Sequence, residues 1–226
     1  MIIGVHGHAR VGKNQFAEYL IECLKERHQR DFREVAFATQ LKTMCKNHFK
    51  LTYDQLWGDK KEIGDKRFRR ALVPKFADDD VGMGATGFKC GTIREPLYDY
   101  WSPREIMQEL GSFYRHIDYN FWVKTLDRHL KETGIEDAII TDVRHINECE
   151  YVKKNQGVLV KIIRESADEI HGMQHESETA LDDRPEGYFD LTIVNDWGLK
   201  ELQVAAEEAS DLIIMIEDLI NKGRIV

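Results

Sequence analysis

With 226 residues, 42% of them hydrophobic and 10% aromatic, the chain is long enough for one substantial core and too short for two enzyme-sized domains. Forty acidic against 32 basic residues leave a formal charge of -8, which excludes a protein that coats nucleic acid by charge alone and favours a small-molecule ligand. No apolar run approaches the ~18 residues of a membrane span, and Cys23, Cys45, Cys90 and Cys149 are scattered without a C-x-x-C pair, so the expectation is one cytoplasmic unit with reduced thiols.

In chain order, IIGVHG (2–7) is a short apolar run ending in glycine and reads as a strand. NQFAEYLIECLKERHQ (14–29) then places Phe16, Ala17, Leu20, Ile21 and Leu24 at helical spacing. REVAFA (33–38) predicts a second strand, and TQLKTMCKNHF (39–49) a helix opened by a Thr39 cap. From about 50 to 100 the pattern weakens: TYDQLWG looks like a helix start, while FADDDVGMGATGFKCGTIREP (76–96) is rich in Gly and Asp and reads as an inserted region or a hairpin.

Regular pattern returns at SPREIMQELGSFYRHI (102–117), a helix with a Ser cap and proline at its first position. YNFWVKTLDRHLKET (119–133) is a further amphipathic helix, DAIITDVRH (137–145) a buried strand with a polar end, INECEYVKKNQ (146–156) a helix and GVLVKIIR (157–164) a strand. DLTIVND (190–196) is the last strand and 199–223 a long closing helix. Alternating strands and helices without an internal repeat imply α/β architecture, a parallel sheet covered on both faces. In such sheets ligands bind beyond the carboxyl ends of the strands, so the residues just after each strand are the candidates for a site.

After the first strand, Gly7, four residues, Gly12 and Lys13 have the spacing of a phosphate-binding loop. Successive backbone N–H groups, those of Arg10, Val11 and Gly12 included, and the helix N-terminus would surround phosphate oxygens while Lys13 reaches the β and γ phosphates. Asn14 stands where the pattern asks for Ser or Thr; its amide oxygen is a bulkier, neutral Mg²⁺ ligand. Asp142, ending the third strand, is the candidate carboxylate for Mg²⁺, its alternative being a helix cap. Arg144 can clamp a phosphoryl group bidentately, or pair with Glu148.

Lys42 is a candidate for an acceptor phosphate, or a solvated helix lysine. Arg104, Gln108 and Arg115 share one face of a helix, which presents three phosphate- or base-capable groups, or else a solvent face. Arg164, at the end of a strand, could lie over a nucleotide base, and Arg184 belongs to a polar stretch of lid-like length before the last strand. His171 and His175 lack further ligands at zinc spacing. His6 and His8 read as loop packing, DDD (78–80) as a solvated loop, and Tyr98, Tyr100, Trp101, Phe121 and Trp122 as core.

Taken in order, GHARVGKNQFAEYL, VAFATQLK, SPREIMQELGSFYRHIDYNFWVKTL, TDVRHINECEYVKKNQGVLVKIIR and HESE resemble the bacteriophage deoxynucleoside monophosphate kinases, a branch of the P-loop nucleoside monophosphate kinases. The resemblance implies a three-layer α/β/α P-loop NTPase fold in one kinase domain. Its core would be 1–50, 102–164 and 189–226, with an acceptor-side insertion at 51–101 and a lid at 165–188. It implies transfer of the ATP γ-phosphoryl group to a 5′-deoxynucleotide, giving the diphosphate. In that reaction Gly7, Arg10, Val11, Gly12, Lys13, Asn14 and Arg164 hold ATP, and Asn14 and Asp142 meet Mg²⁺. Arg115 and Arg144 bind the acceptor phosphate or transferring group, with Lys42, Arg104 and Gln108 in support. The implied partners are small nucleotides, with no stable nucleic-acid binding and no membrane, for a monomer or homodimer in the cytoplasm, that of a host if the chain is phage-encoded.

Residues 60–100 match no motif of that family, and Asn14 departs from it. Three other readings use the same residues: a kinase of another phosphorylated acceptor such as dephospho-coenzyme A or phosphomevalonate, an ATP-hydrolysing motor or switch, and a nucleotide-binding protein without catalysis. The ITDVR segment supplies Asp then Arg with no adjacent Glu, which disfavours the hydrolase.

Overall fold

The first strand, β1 (Ile2–His6), is buried at all five positions because it runs down the middle of a sheet with a layer on each face. The computed structural model describes residues 1–70, 99–164, 180, 181, 183–185 and 187–223. Cys90, the DDD run, Tyr98, His171, His175 and the HESE segment, and with them most of the expected insertion and lid, lie outside the described residues.

Two compact units are present, one of residues 1–40 and 114–226, the other Leu41–Phe113. The first holds the sheet. After β1 come α1 (Lys13–His28), β2 (Arg33–Val35) and the start of α2 (Ala38–His48); later come the end of α4 (Pro103–Ile117), α5 (Phe121–Thr133), β3 (Ala138–Val143), α6 (Ile146–Lys154), β4 (Val158–Ile163), β5 (Leu191–Val194) and α7 (Leu199–Asn221). All pairings are parallel in the order β2-β3-β1-β4-β5, which puts β1 at the centre, flanked by β3 and β4. The reversal of strand order at β1 makes its carboxyl end the switch point of the sheet.

Period-two alternation divides the apolar residues between the faces. Ile3, Val5, Ile139, Val158, Val160 and Ile162 pack with Phe16, Leu20 and Leu24 of α1 and Leu202, Ala206 and Ile213 of α7. Ile2, Ala138, Ile140 and Leu159 face Val123, Leu126 and Leu130 of α5 and Cys149 and Val152 of α6. Arg27 of α1 pairs with Glu207 and Asp211 of α7, and Arg30 with Asp137 and Glu217.

The second unit is built on its own cluster of Cys45, Leu51, Leu56 and Ile106. It contains most of α2 and α4, α3 (Tyr53–Leu56) and a 3₁₀ turn (Asp59–Glu62). The expected helix start at TYDQLWG is α3, opened by a capping box between Thr52 and Gln55. Ser102 caps α4 as expected: its hydroxyl accepts the Glu105 N–H at 3.3 Å, and the Glu105 carboxylate accepts the Ser102 N–H at 2.8 Å. Arg69 and Tyr100 form an isolated antiparallel bridge.

Two boundaries differ from the sequence expectation. The second strand ends at Val35 rather than 38, because the Phe37 and Ala38 N–H groups turn away from the ladder to the carboxylate of Asp142 at 2.8 and 2.9 Å. Thr39 is consequently inside α2 and not its cap, with its N–H donating to the Ala36 carbonyl.

Candidate functional site

Beyond the carboxyl end of β1 the chain passes through residues 7–12 directly into α1. Gly7 approaches β4 so closely that a Cβ there would lie 2.5 Å from the Ile162 carbonyl oxygen, and Gly12 has φ +96° with room for a Cβ only 2.7 Å from Asn195 Nδ2. Glycine is therefore required at the second position by conformation and at both by space. Arg10 also adopts a positive φ, of 67°, which bends the loop back on itself. The N-cap of α1 is Gly12, which brings no side chain to cap the positive end of the helix. The Lys13 ammonium folds over the loop and donates to the carbonyls of Gly7 at 2.7 Å and His8 at 2.6 Å.

Asn195, just past β5, steadies this turn: its Nδ2 donates to the Val11 carbonyl at 2.8 Å, and its own N–H donates to Ile163 O at 2.9 Å. His6 is buried at the last position of β1, with Nδ1 2.9 Å from the Val143 carbonyl and its ring stacked on Phe189. Burial, with the nearby positive charges of Lys161 and Lys13, pushes the imidazole down to about 4, so it stays neutral and serves packing, as expected. Val11 is wholly buried, whereas Asn14 is exposed at the start of α1.

A second group gathers at the carboxyl end of β3. Asp142 spends one lone pair of each oxygen on the 37 and 38 amides, the helix-capping geometry weighed as its alternative role. Arg144 contributes its backbone N–H to Glu148 Oε2 at 2.7 Å, and His145 does likewise at 3.0 Å. Glu148 is buried, and that burial, with the neighbouring Asp142 charge, pushes its carboxyl up to about 8 against the opposing pull of the two N–H groups and Arg115. The turn after β3 is thus held by one buried acid. Glu148 entered the sequence reading only as a salt-bridge partner for Arg144, and Asn195 not at all; its position directly after a strand was the available signal.

The other nominated residues are placed in different company. Lys42 lies over the ring of Trp57 at 5.3 Å, and Trp57 stacks on Tyr53. Arg104 pairs with Glu62. Arg104 and Gln108 belong to the second unit and Arg115 to the first, although one helix carries all three. Arg164 follows β4, and Arg184 lies 5.8 Å from the ring of Tyr188. Trp122 is core, as expected, while Phe121 stacks on Tyr114. Among the described residues no group of three or more His, Cys, Asp or Glu side chains is arranged to hold a metal ion, and no helix is long and apolar enough to cross a membrane.

A glycine loop leaving the central strand of a five-stranded parallel sheet, with helices on both faces, makes this an α/β protein of the P-loop kinase kind. The chain belongs to the deoxynucleotide monophosphate kinase family, whose model it matches over residues 73–205. It is accordingly a phosphotransferase acting on deoxynucleoside monophosphates. It is also 28% identical over 207 residues to a protein of Acanthamoeba polyphaga mimivirus provisionally named a deoxynucleotide monophosphate kinase, an alignment covering 89% of this chain and 91% of the relative. The family match spans Arg104, Gln108, Arg115, Asp142, Arg144, Arg164 and Asn195; the loop at 7–14 and Lys42 stand outside it.

Proposed function

We propose that the chain transfers the γ-phosphoryl group of ATP to a 5′-deoxynucleoside monophosphate, with the loop at residues 7–13 as the donor site. The observation carrying this is the loop itself: glycines with no space for a Cβ at both ends, a glycine at the N-cap of α1 and the Lys13 ammonium folded onto the loop carbonyls, all at the carboxyl end of the central strand. Arg10 and Val11 contribute backbone to this cradle, and Arg164 is assigned to the adenine side.

Phosphoryl transfer leaves little covalent work for side chains, so catalysis is positioning and charge neutralisation. Arg144 and Arg115 supply cations for the acceptor phosphate and the transferring group; Lys42, Arg104 and Gln108 are assigned supporting contacts with the acceptor. Asp142 and Asn14 are the residues that would meet a Mg²⁺ ion bound with ATP, which would supply neutralising positive charge for the phosphates. Asp142 stands at the carboxyl end of β3, the strand beside β1, which supports that assignment. The same reading includes small nucleotides as the only stable ligands, a polypeptide acting in the cytoplasm, of a host cell if phage-encoded, and a monomer or homodimer; the charge of -8 supports the first of these.

ADP formation from MgATP, with each deoxy- and ribonucleoside monophosphate offered separately and a control without acceptor, tests this. Acceptor-dependent turnover on a deoxynucleotide is expected. Equal turnover without acceptor would replace the kinase by a hydrolase, and turnover confined to dephospho-coenzyme A or phosphomevalonate would reassign the acceptor.

A further inference from the structure

Glu148 is the third residue of α6 and closes a capping box with His145. One oxygen, Oε2, accepts two consecutive N–H groups, from Arg144 at 2.7 Å and His145 at 3.0 Å, while only 5% of the residue is exposed. A capping box needs the reach of a Glu side chain but not its burial, which adds the desolvation cost of a carboxyl group, and the second N–H it accepts, from Arg144, lies before the N-cap. Its neighbour Asn147 ties the same helix to the corner that opens α5, donating from Nδ2 to Tyr119 O at 2.8 Å and Asn120 Oδ1 at 3.1 Å. Two successive residues of α6 therefore hold the β3 turn and the start of α5 together.

We propose that Glu148 is a positioning residue: by accepting the Arg144 and His145 N–H groups in a buried turn, it fixes Arg144, the arginine at the end of β3 assigned to the acceptor phosphate. The inference rests on the acceptor role assigned to Arg144 above. Glu148 acts through that residue.

The test uses the full chain, with steady-state kinetics on the deoxynucleoside monophosphate panel, thermal unfolding, and amide exchange at positions 144 and 145. Glu148→Ala is expected to raise the acceptor KM about tenfold or more while the ATP KM changes less than about threefold. Glu148→Gln, whose amide oxygen can accept the same two N–H groups, should recover most of that loss. In an Arg144→Ala background Glu148→Ala should add little, since both changes remove one function. A lowered melting temperature with an unchanged acceptor KM would reduce Glu148 to a helix cap, and multiplicative effects in the double variant would also overturn the proposal. If Arg144→Ala alone leaves the acceptor KM untouched, it is the assignment of Arg144 that fails; faster exchange of the 144 and 145 amides in Glu148→Ala, reversed in Glu148→Gln, then upholds the positioning of the turn, and unchanged exchange removes it. Should the alanine variant not fold, Glu148→Asp, which draws the carboxylate back by one methylene, takes its place with the same expectations.

Discussion

Asn195, at the end of the edge strand β5, donates from Nδ2 to the Val11 carbonyl at 2.8 Å, so the far side of the sheet holds the loop that follows its central strand. Both groups are buried, and Gly12 packs directly beneath the amide. Removing the donor in Asn195→Ala leaves the Val11 carbonyl without this partner and opens a gap beside Gly12. The expected loss is about 1–3 kcal/mol in urea unfolding, accompanied by a raised KM for ATP rather than for the acceptor. A stability loss with the ATP KM unchanged would mean the loop keeps its shape without this tie.

How much of this was legible beforehand depended on whether the signal was local. The strand, glycine loop and helix at the N-terminus follow from apolar spacing and from the spacing of Gly7, Gly12 and Lys13, all within one short stretch. The end of β2 was misplaced because Asp142, more than a hundred residues away, takes the Phe37 and Ala38 amides, and no local pattern announces that. Asn195 was hidden for the same reason: it is an unremarkable polar residue until the sheet brings Val11 beside it. Arg104, by contrast, was named from helical spacing alone, and the fold gives it Glu62 as a partner.

Lys13 carries the donor-side proposal. Its ammonium bridges two loop carbonyls, which on the donor-site proposal it exchanges for phosphate oxygens. Lys13→Ala should reduce kcat by at least a hundredfold, a transition-state loss on the order of 3 kcal/mol, with the far-UV circular dichroism unchanged. Near-normal turnover in this variant would take the loop out of the mechanism.

His6 and Glu148 give stability opposite pH slopes. The His6 pKa falls from 6.5 to about 4 on folding, so between those values the unfolded chain binds the extra proton; the stabilising contribution is complete above 6.5 and is lost as pH falls toward 4. For Glu148 the folded value rises from 4.5 to about 8, so the folded state holds the extra proton; its contribution is complete below 4.5 and is lost as pH rises to 8. Each group changes stability by at most ~1.4 kcal/mol per pH unit within its window. Urea unfolding of the parent and Glu148→Gln proteins between pH 6.5 and 8 isolates the second effect: the parent should weaken with rising pH, and the variant should weaken less. Parallel curves would show that Glu148 does not titrate in that range.

Asp142 has two assigned duties, and they separate by substitution. As the acceptor for the Phe37 and Ala38 N–H groups it fixes the turn into α2, a duty that Asp142→Asn half preserves because one oxygen remains. As a Mg²⁺ ligand it supplies negative charge, which the asparagine lacks. The asparagine variant should therefore lose about 1–2 kcal/mol of stability and in addition require several-fold more Mg²⁺ for half-maximal activity at fixed ATP. Asn14→Ser, restoring a hydroxyl at the exposed head of α1, should shift the Mg²⁺ titration the other way if position 14 faces the metal. A stability loss in Asp142→Asn without a displaced Mg²⁺ titration would leave Asp142 as a cap for α2 alone, and the cation would then be held by the ATP phosphates, water and whatever position 14 provides.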